Sequence, residues 1–119
     1  NIKSVSKSSE NYSNLIKNYF KNKAMSFDYF LLGMGNDGHI ASIFPNSIEL
    51  QKEFIANPVY RKDFTRITLS LNIINNSKKT ILWLNNKSKS KKFNQLKLKG
   101  NKVPVNRLNK KKTIIYKIN

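Results

Sequence analysis

The sequence predicts an α/β fold, an open sheet with helices on both faces. Three observations support it. Short apolar runs of strand length, FDYFLLGM, TILWL and TIIYKI, are separated by stretches whose apolar residues recur every three or four positions. A glycine-rich turn follows directly on the first run, where an α/β sheet carries its functional loops. Finally, 119 residues with 39% hydrophobic side chains suit one modest core.

Each element has a sequence reason. Residues 1–8 are polar and rich in Ser and Lys, and are expected to fray. From Ser9 to Asn22, the residues Tyr12, Leu15, Ile16, Tyr19 and Phe20 form the stripe of an amphipathic helix, with Ser8 or Ser9 as its cap. Phe27–Met34 reads as a buried strand. Ile48–Phe54 suits a short helix, and Ile55–Tyr60 an extended or irregular stretch around Pro58. Arg66–Leu71, RITLSL, is rich in β-branched residues and reads as a strand. Asn72 is placed to cap a short helical turn, and Thr80–Leu84 is a second buried strand. Ser88–Leu98 predicts a helix with Phe93 and Leu96 inward and its lysines outward. Pro104 bars a long helix from VPVNRL, and Thr113–Ile118 is the terminal strand.

Composition excludes some functions. The formal charge is +17, but nearly all of it is Lys, scattered with Asn along the chain, while Arg is rare. That is the bias of an AT-rich coding sequence. A surface selected for nucleic acid would use more Arg, whose planar fork fits phosphate. A basic nucleic-acid-binding module is therefore an alternative supported by charge alone, and no nucleic-acid partner is expected. The expected consequence of the charge is attraction of small anionic substrates. There is no cysteine and one histidine, so thiolate and multi-histidine metal sites are excluded, and no metal or organic cofactor is expected. No apolar run is long enough to span a bilayer, and the N-terminal stretch has no apolar signal-like segment. A cytoplasmic protein without a membrane partner is the expectation. The first residue is Asn1 rather than Met, which raises the expectation of a fragment.

The chemistry concentrates in LLGMGNDGHIASIFP, Leu31 to Pro45. GMGNDG fits G-x-G-x-x-G, but a dinucleotide site needs a long helix opening at the third glycine. Only HIASIF separates Gly38 from Pro45, under two turns, so that function is set aside. A glycine turn after a strand still lets backbone N–H groups approach an anion or a carbonyl oxygen. It also sets Asp37 and His39 at a cleft mouth, where an imidazole serves as a general base.

These residues carry a resemblance. GMGNDGHIASIFP resembles the G-x-G-x-D-G-H-x-A-S-L-F-P signature of 6-phosphogluconolactonases, which share a superfamily with glucosamine-6-phosphate deaminase. Downstream, Arg66 in RITLSLNII resembles the family's R-[IL]-[ST]-[LM]-[ST] strand. TILWLNNKSK resembles its strand and Gly-x-x-Lys turn, with Lys89 at the lysine and Asn86 at the glycine. KVPVNRL resembles its Leu-Pro-[AI]-x-x-[LI] segment. The deaminase signature runs D-G-H-I-A-F-N-E-P, and Phe44 stands here where its glutamate would be, which favours the lactonase over the deaminase.

The resemblance implies a Rossmann-like, NagB/RpiA-like sheet and hydrolysis of 6-phosphoglucono-δ-lactone in the oxidative pentose phosphate pathway. On that basis His39 is the general base, and Asp37 orients it or the substrate, or else caps a short following helix. Backbone N–H groups around Gly35 and Gly38 would face the carbonyl oxygen, and Arg66 and Lys89 would hold the phosphate or sugar. Ser42 is read as a helix or packing residue, since no second histidine activates it. The resemblance covers about the second half of the family's chain. Residues 9–119 are therefore expected to form the C-terminal part of a single domain, and a missing N-terminal half is a candidate partner beside the phosphorylated lactone.

Overall fold

The computed structural model describes residues 4–21 and 23–118. The elements in chain order are α1 (Val5–Phe20), β1 (Tyr29–Leu32), β2 (Ala56–Tyr60), β3 (Thr65–Leu69), α2 (Leu71–Asn75), β4 (Lys79–Leu84), α3 (Lys87–Leu96) and β5 (Thr113–Lys117). Short 3₁₀ turns lie at Ile48–Leu50, Lys97–Lys102 and Pro104–Arg107. Strands β1, β4 and β5 form a parallel sheet in the order β1-β4-β5. Strands β2 and β3 form a separate antiparallel ribbon, turned by a bond from the Arg61 N–H to the Phe64 carbonyl.

Side-chain caps set the helix starts, and two of them differ from expectation. The Ser4 hydroxyl accepts from the Lys7 N–H at 3.1 Å, so α1 begins at Val5 rather than Ser9. Residues 4–8 are thus ordered helix and cap, not frayed chain, and residues 1–3 and Asn22 lie outside the described residues. The Ser70 hydroxyl, not Asn72, caps α2 by accepting from the Ile73 N–H at 3.1 Å. Asn86 caps α3 by accepting from the Lys89 N–H at 2.8 Å, which fixes the turn where the family pattern has glycine. Such caps contribute about 1 kcal/mol each.

The core lies on one face of the sheet. Leu32, Leu82 and Leu84 pack there with Ile74 of α2, Phe93 and Leu96 of α3, Val103 just before the last 3₁₀ turn and Val105 within it. Each such side chain contributes roughly 1.5–3 kcal/mol by leaving water. Helix α1 instead covers the ribbon: Ser13 Oγ accepts from the Ala56 N–H at 3.1 Å, and Phe20 meets Phe27 edge-on at 5.2 Å.

The opposite face of the sheet is uncovered. Tyr29, Leu31, Trp83, Ile114 and Tyr116 point there and are exposed. The α/β class and parallel sheet match the expected fold, but among the described residues helices cover one face only. Strands β1 and β4, read as buried, are buried on one side. Their apolar character on both sides encodes a cover that these residues do not supply.

Candidate active site

The loop after β1 is a tight turn pinned at both ends. The Gly35 N–H donates to the His39 carbonyl at 2.9 Å, and the Gly38 N–H to the Gly35 carbonyl at 2.9 Å. Asn36 and Asp37 therefore sit at the tip. Beyond His39, Ile40 and Ile43 bridge to each other and are fully buried, and Phe44 is buried beside them. No helix opens at Gly38, and residues 38–47 contain none. Ala41 holds φ +51° in this turn, a left-handed conformation that costs a non-glycine residue about 1–2 kcal/mol.

Two expectations are corrected here. Asp37 caps no helix; its Oδ1 accepts from the His39 N–H at 3.0 Å and contacts His39 Nδ1 at 2.6 Å. The Gly35 and Gly38 N–H groups are consumed inside the turn, so they are not donors toward a substrate carbonyl. The glycines serve geometry instead. A Cβ at Gly35 would overlap the His39 ring, and Gly38 stands at φ +85° with Val103 against it. At the tip, neither the Asn36 nor the Asp37 N–H donates a backbone hydrogen bond among the described residues, and Asn36 also carries a carboxamide.

The histidine's tautomer follows from its partner. An ionised carboxylate only accepts, so Nδ1 carries the proton donated to Asp37, and Nε2 is left as the acceptor. Burial works to raise the Asp37 pKa, but hydrogen bonds from the His39 backbone and ring, with the imidazole charge, hold it below the usual aspartate value. His39 is about one third exposed, so Nε2 is reachable by water.

The β2–β3 ribbon folds over this loop. The buried Thr68 hydroxyl accepts from the Ser42 N–H at 3.1 Å, which fastens β3 to the turn and makes Ser42 a packing residue, though not a helical one. Phe44 lies 4.5 Å from the His39 ring and 6.0 Å from Phe64. Arg66 stacks on Phe64 at 4.7 Å, and Arg61 stacks on Phe44 at 4.0 Å. A cavity of about 360 Å³ results, lined by Asn36, Asp37, His39, Phe44, Phe64 and Arg66. That size suits a small ligand. Arg61, Phe64 and Asn36 were not singled out from sequence. The available signal was the hairpin YRKDFTR, which places two arginines and an aromatic within six residues.

Lys89 stands on the other side of the loop tip. Its Nζ donates to Asn36 Oδ1 at 3.1 Å, and it lines a second cavity of about 380 Å³ with Leu31, Gly33, Met34 and Trp83 at the carboxyl ends of β1 and β4. So His39, Asp37 and Arg66 share one cavity, and Lys89 joins them through Asn36.

Two outcomes follow from this geometry. Gly35→Ala should displace the imidazole, since Gly35 has no positive φ to strain the backbone and the added Cβ meets only the His39 ring, a side chain that can rotate away from Asp37. A misplacement of this kind costs catalysis about 10²-fold, while urea unfolding should change little. Asp37 stabilises the fold above its ordinary pKa, and that contribution is lost as pH falls through its lowered folded value. Asp37→Asn should therefore be less stable at pH 7, with the difference closing below about pH 4, as read by urea unfolding at both pH values.

Comparison with known proteins bears on the family and the fold. Residues 1–116 match the family described as glucosamine-6-phosphate isomerases/6-phosphogluconolactonase. A probable 6-phosphogluconolactonase of Dictyostelium discoideum is 35% identical over 92 residues, covering 73% of this chain and 39% of the relative. The crystal structure of 6-phosphogluconolactonase from Thermotoga maritima superposes with a TM-score of 0.74 at 26% identity, covering 92% of this chain and 49% of that one. The Plasmodium vivax 6-phosphogluconolactonase shares the fold with a TM-score of 0.80 at 24% identity, covering 95% of this chain and 52% of that one. The chain thus spans about two fifths of that curated relative and about half of each of these two structures. It belongs to the glucosamine-6-phosphate isomerase/6-phosphogluconolactonase family.

Proposed function

We propose that this chain forms the C-terminal part of a 6-phosphogluconolactonase domain and carries its catalytic loop. The reaction is hydrolysis of 6-phosphoglucono-δ-lactone to 6-phosphogluconate in the oxidative pentose phosphate pathway, a reaction of soluble metabolites that fits the cytoplasm. The observation that carries this reading is His39 Nδ1 held by Asp37 at 2.6 Å, leaving Nε2 at a cavity that Arg66 also lines.

Nε2 takes a proton from water as the water attacks the lactone carbonyl. The tetrahedral oxyanion meets the Asn36 N–H or its carboxamide, whose Oδ1 is already held by Lys89. Collapse breaks the bond to the ring oxygen, which takes the proton back from the imidazolium. Asp37 stays ionised and keeps the ring in one orientation throughout. Arg66 and Lys89 attract and hold the phosphate, Arg66 with its planar fork and Lys89 as a point charge.

The test is proton release from freshly generated 6-phosphoglucono-δ-lactone above the spontaneous rate. It is run with the chain alone and with the N-terminal half of a related lactonase. Catalysis in either setting supports the proposal. No catalysis in both, or ammonia release from glucosamine 6-phosphate, would count against it. The deaminase reading is already disfavoured by Phe44, which presents a ring to His39 where a carboxylate would be needed.

A further inference from the structure

A further cavity, of about 520 Å³, opens between α3, the 3₁₀ turns that follow it and β5. It shares no lining residue with the cavities beside His39 and Lys89. The strand register shows what it is. Ile115 pairs with Leu82, so both side chains point to the core side of the sheet, yet Leu82 is fully buried and Ile115 is 40% exposed. The core stops short of the edge strand, and the space left over is walled by Leu82, Phe93, Val105 and Ile115. Leu98 lines it too while 83% exposed. The shape is held by a side chain rather than by loose packing. The chain turns back at Gly100, with φ +75°, and the Asn106 carboxamide donates to the Leu96 carbonyl at 2.9 Å and the Gly100 carbonyl at 2.8 Å. Asn106 thereby ties the Lys97–Lys102 turn to the Pro104–Arg107 turn and keeps the cavity from closing by collapse.

Two cations line the same cavity, Lys97 and Lys110. Neither ammonium group has an ion-pair or hydrogen-bond partner among the described residues. The surrounding sequence offers no carboxylate: every Asp and Glu lies at or before Asp63, and all the lining residues come after it. A bias toward lysine codons does not by itself remove acids, since residues 10–63 hold all six of them.

We propose that this cavity binds a small amphipathic anion, a carboxylate on an apolar chain, of which a free medium-chain fatty acid is the simplest member. The apolar wall takes the chain, and Lys97 and Lys110, whose stems lie along apolar surface while their heads reach water, take the carboxylate. Charge complementarity selects an anion, and the size falls in the range of about 300–1,000 Å³ usual for small-molecule sites. A second copy is a poor occupant, because it brings another formal +17. The inference goes beyond the lactonase reading and does not depend on it.

The test is calorimetric titration of the chain with hexanoate, octanoate and decanoate below their micellar concentrations, with backbone amide NMR to locate the ligand. The expected result is 1:1 binding that tightens about 4-fold per added methylene. Amide shifts should centre on residues 93–115 and leave residues 36–44 in place. Lys97→Gln with Lys110→Gln should weaken decanoate at least about 3-fold and leave uncharged decanol unchanged. Both lysines are exposed, so urea unfolding of that variant should match the parent. Ile115→Glu, which sets a carboxylate in the wall, should abolish decanoate binding, with its urea midpoint read alongside. No binding of decanoate at millimolar concentration would overturn the inference. Affinity independent of chain length would also overturn it, since the lysines alone would then be at work, and so would indifference to the glutamine pair. Trp83, the only tryptophan, lies on the uncovered face, so a change in its emission tracking the titration would place the ligand there instead and overturn the site. Binding to phosphatidylglycerol vesicles without binding to free decanoate would make the surface a membrane contact and overturn it as well. Lactone hydrolysis is read in none of these arms, so failure of the lactonase reading leaves this result interpretable.

Discussion

Alanine at position 39 should lower lactone hydrolysis by about 10²–10⁴-fold in kcat, the range for losing a general base, with KM little changed. The expectation comes from where the imidazole sits. One nitrogen is committed to Asp37 at 2.6 Å, and the other faces a cavity without a competing partner among the described residues. Phe44 packs at 4.5 Å and Gly35 lies under the ring, so its position is held on several sides. Removing the ring takes away the proton acceptor while Arg66 and Lys89 stay in place, which is why binding should survive. His39 is also the chain's only histidine, so no neighbour can take over its role. The measurement is steady-state proton release by the chain complemented with a lactonase N-terminal half, parent against variant. A variant with unchanged kcat would remove His39 from the mechanism. A variant with raised KM alone would make it a binding group.

Much of the candidate site's geometry was legible because its parts are local. Asp37, Gly38 and His39 are consecutive, and a glycine turn after an apolar strand is a pattern of residue types. What stayed hidden depends on chain reversals. Arg61 and Phe64 reach Phe44, the ring beside the histidine, only because the β2–β3 hairpin folds back and Thr68 ties it to Ser42. The fate of the Gly35 and Gly38 N–H groups was hidden too, because glycine in a signature is equally consistent with donating outward and with closing a turn. The strands were legible as strands, but not their one-sided burial. YFLL and TILWL are apolar on both faces, and sequence records what a strand is suited to pack against, not whether the partner is in the same chain. The start of α1 was missed because Ser6–Ser8 are polar, while the Ser4 cap holds it.

The largest loss of stability should come from Gly38→Ala, about 2–4 kcal/mol by urea or thermal unfolding, combining backbone strain with overpacking. Gly38 has φ +85°, a conformation that L side chains rarely adopt. Space is closed as well: a Cβ would overlap Val103 Cγ1 and come within 3.3 Å of Leu96 Cδ1. Val103 and Leu96 are both buried in the core and cannot swing away into solvent. The Gly38 carbonyl accepts from the Val105 N–H at 3.0 Å, so moving the turn to relieve the clash would break the bond that joins it to the Pro104–Arg107 segment. Gly35→Ala meets a side chain that can rotate, whereas Gly38→Ala meets the packed core, so the two signature glycines should separate experimentally. The first should lower activity at nearly constant stability, and the second should lower stability first. If Gly38→Ala were as stable as the parent, the turn would have to tolerate a different backbone path. The pinning of the histidine loop to the C-terminal segment would then not be what holds the site in register.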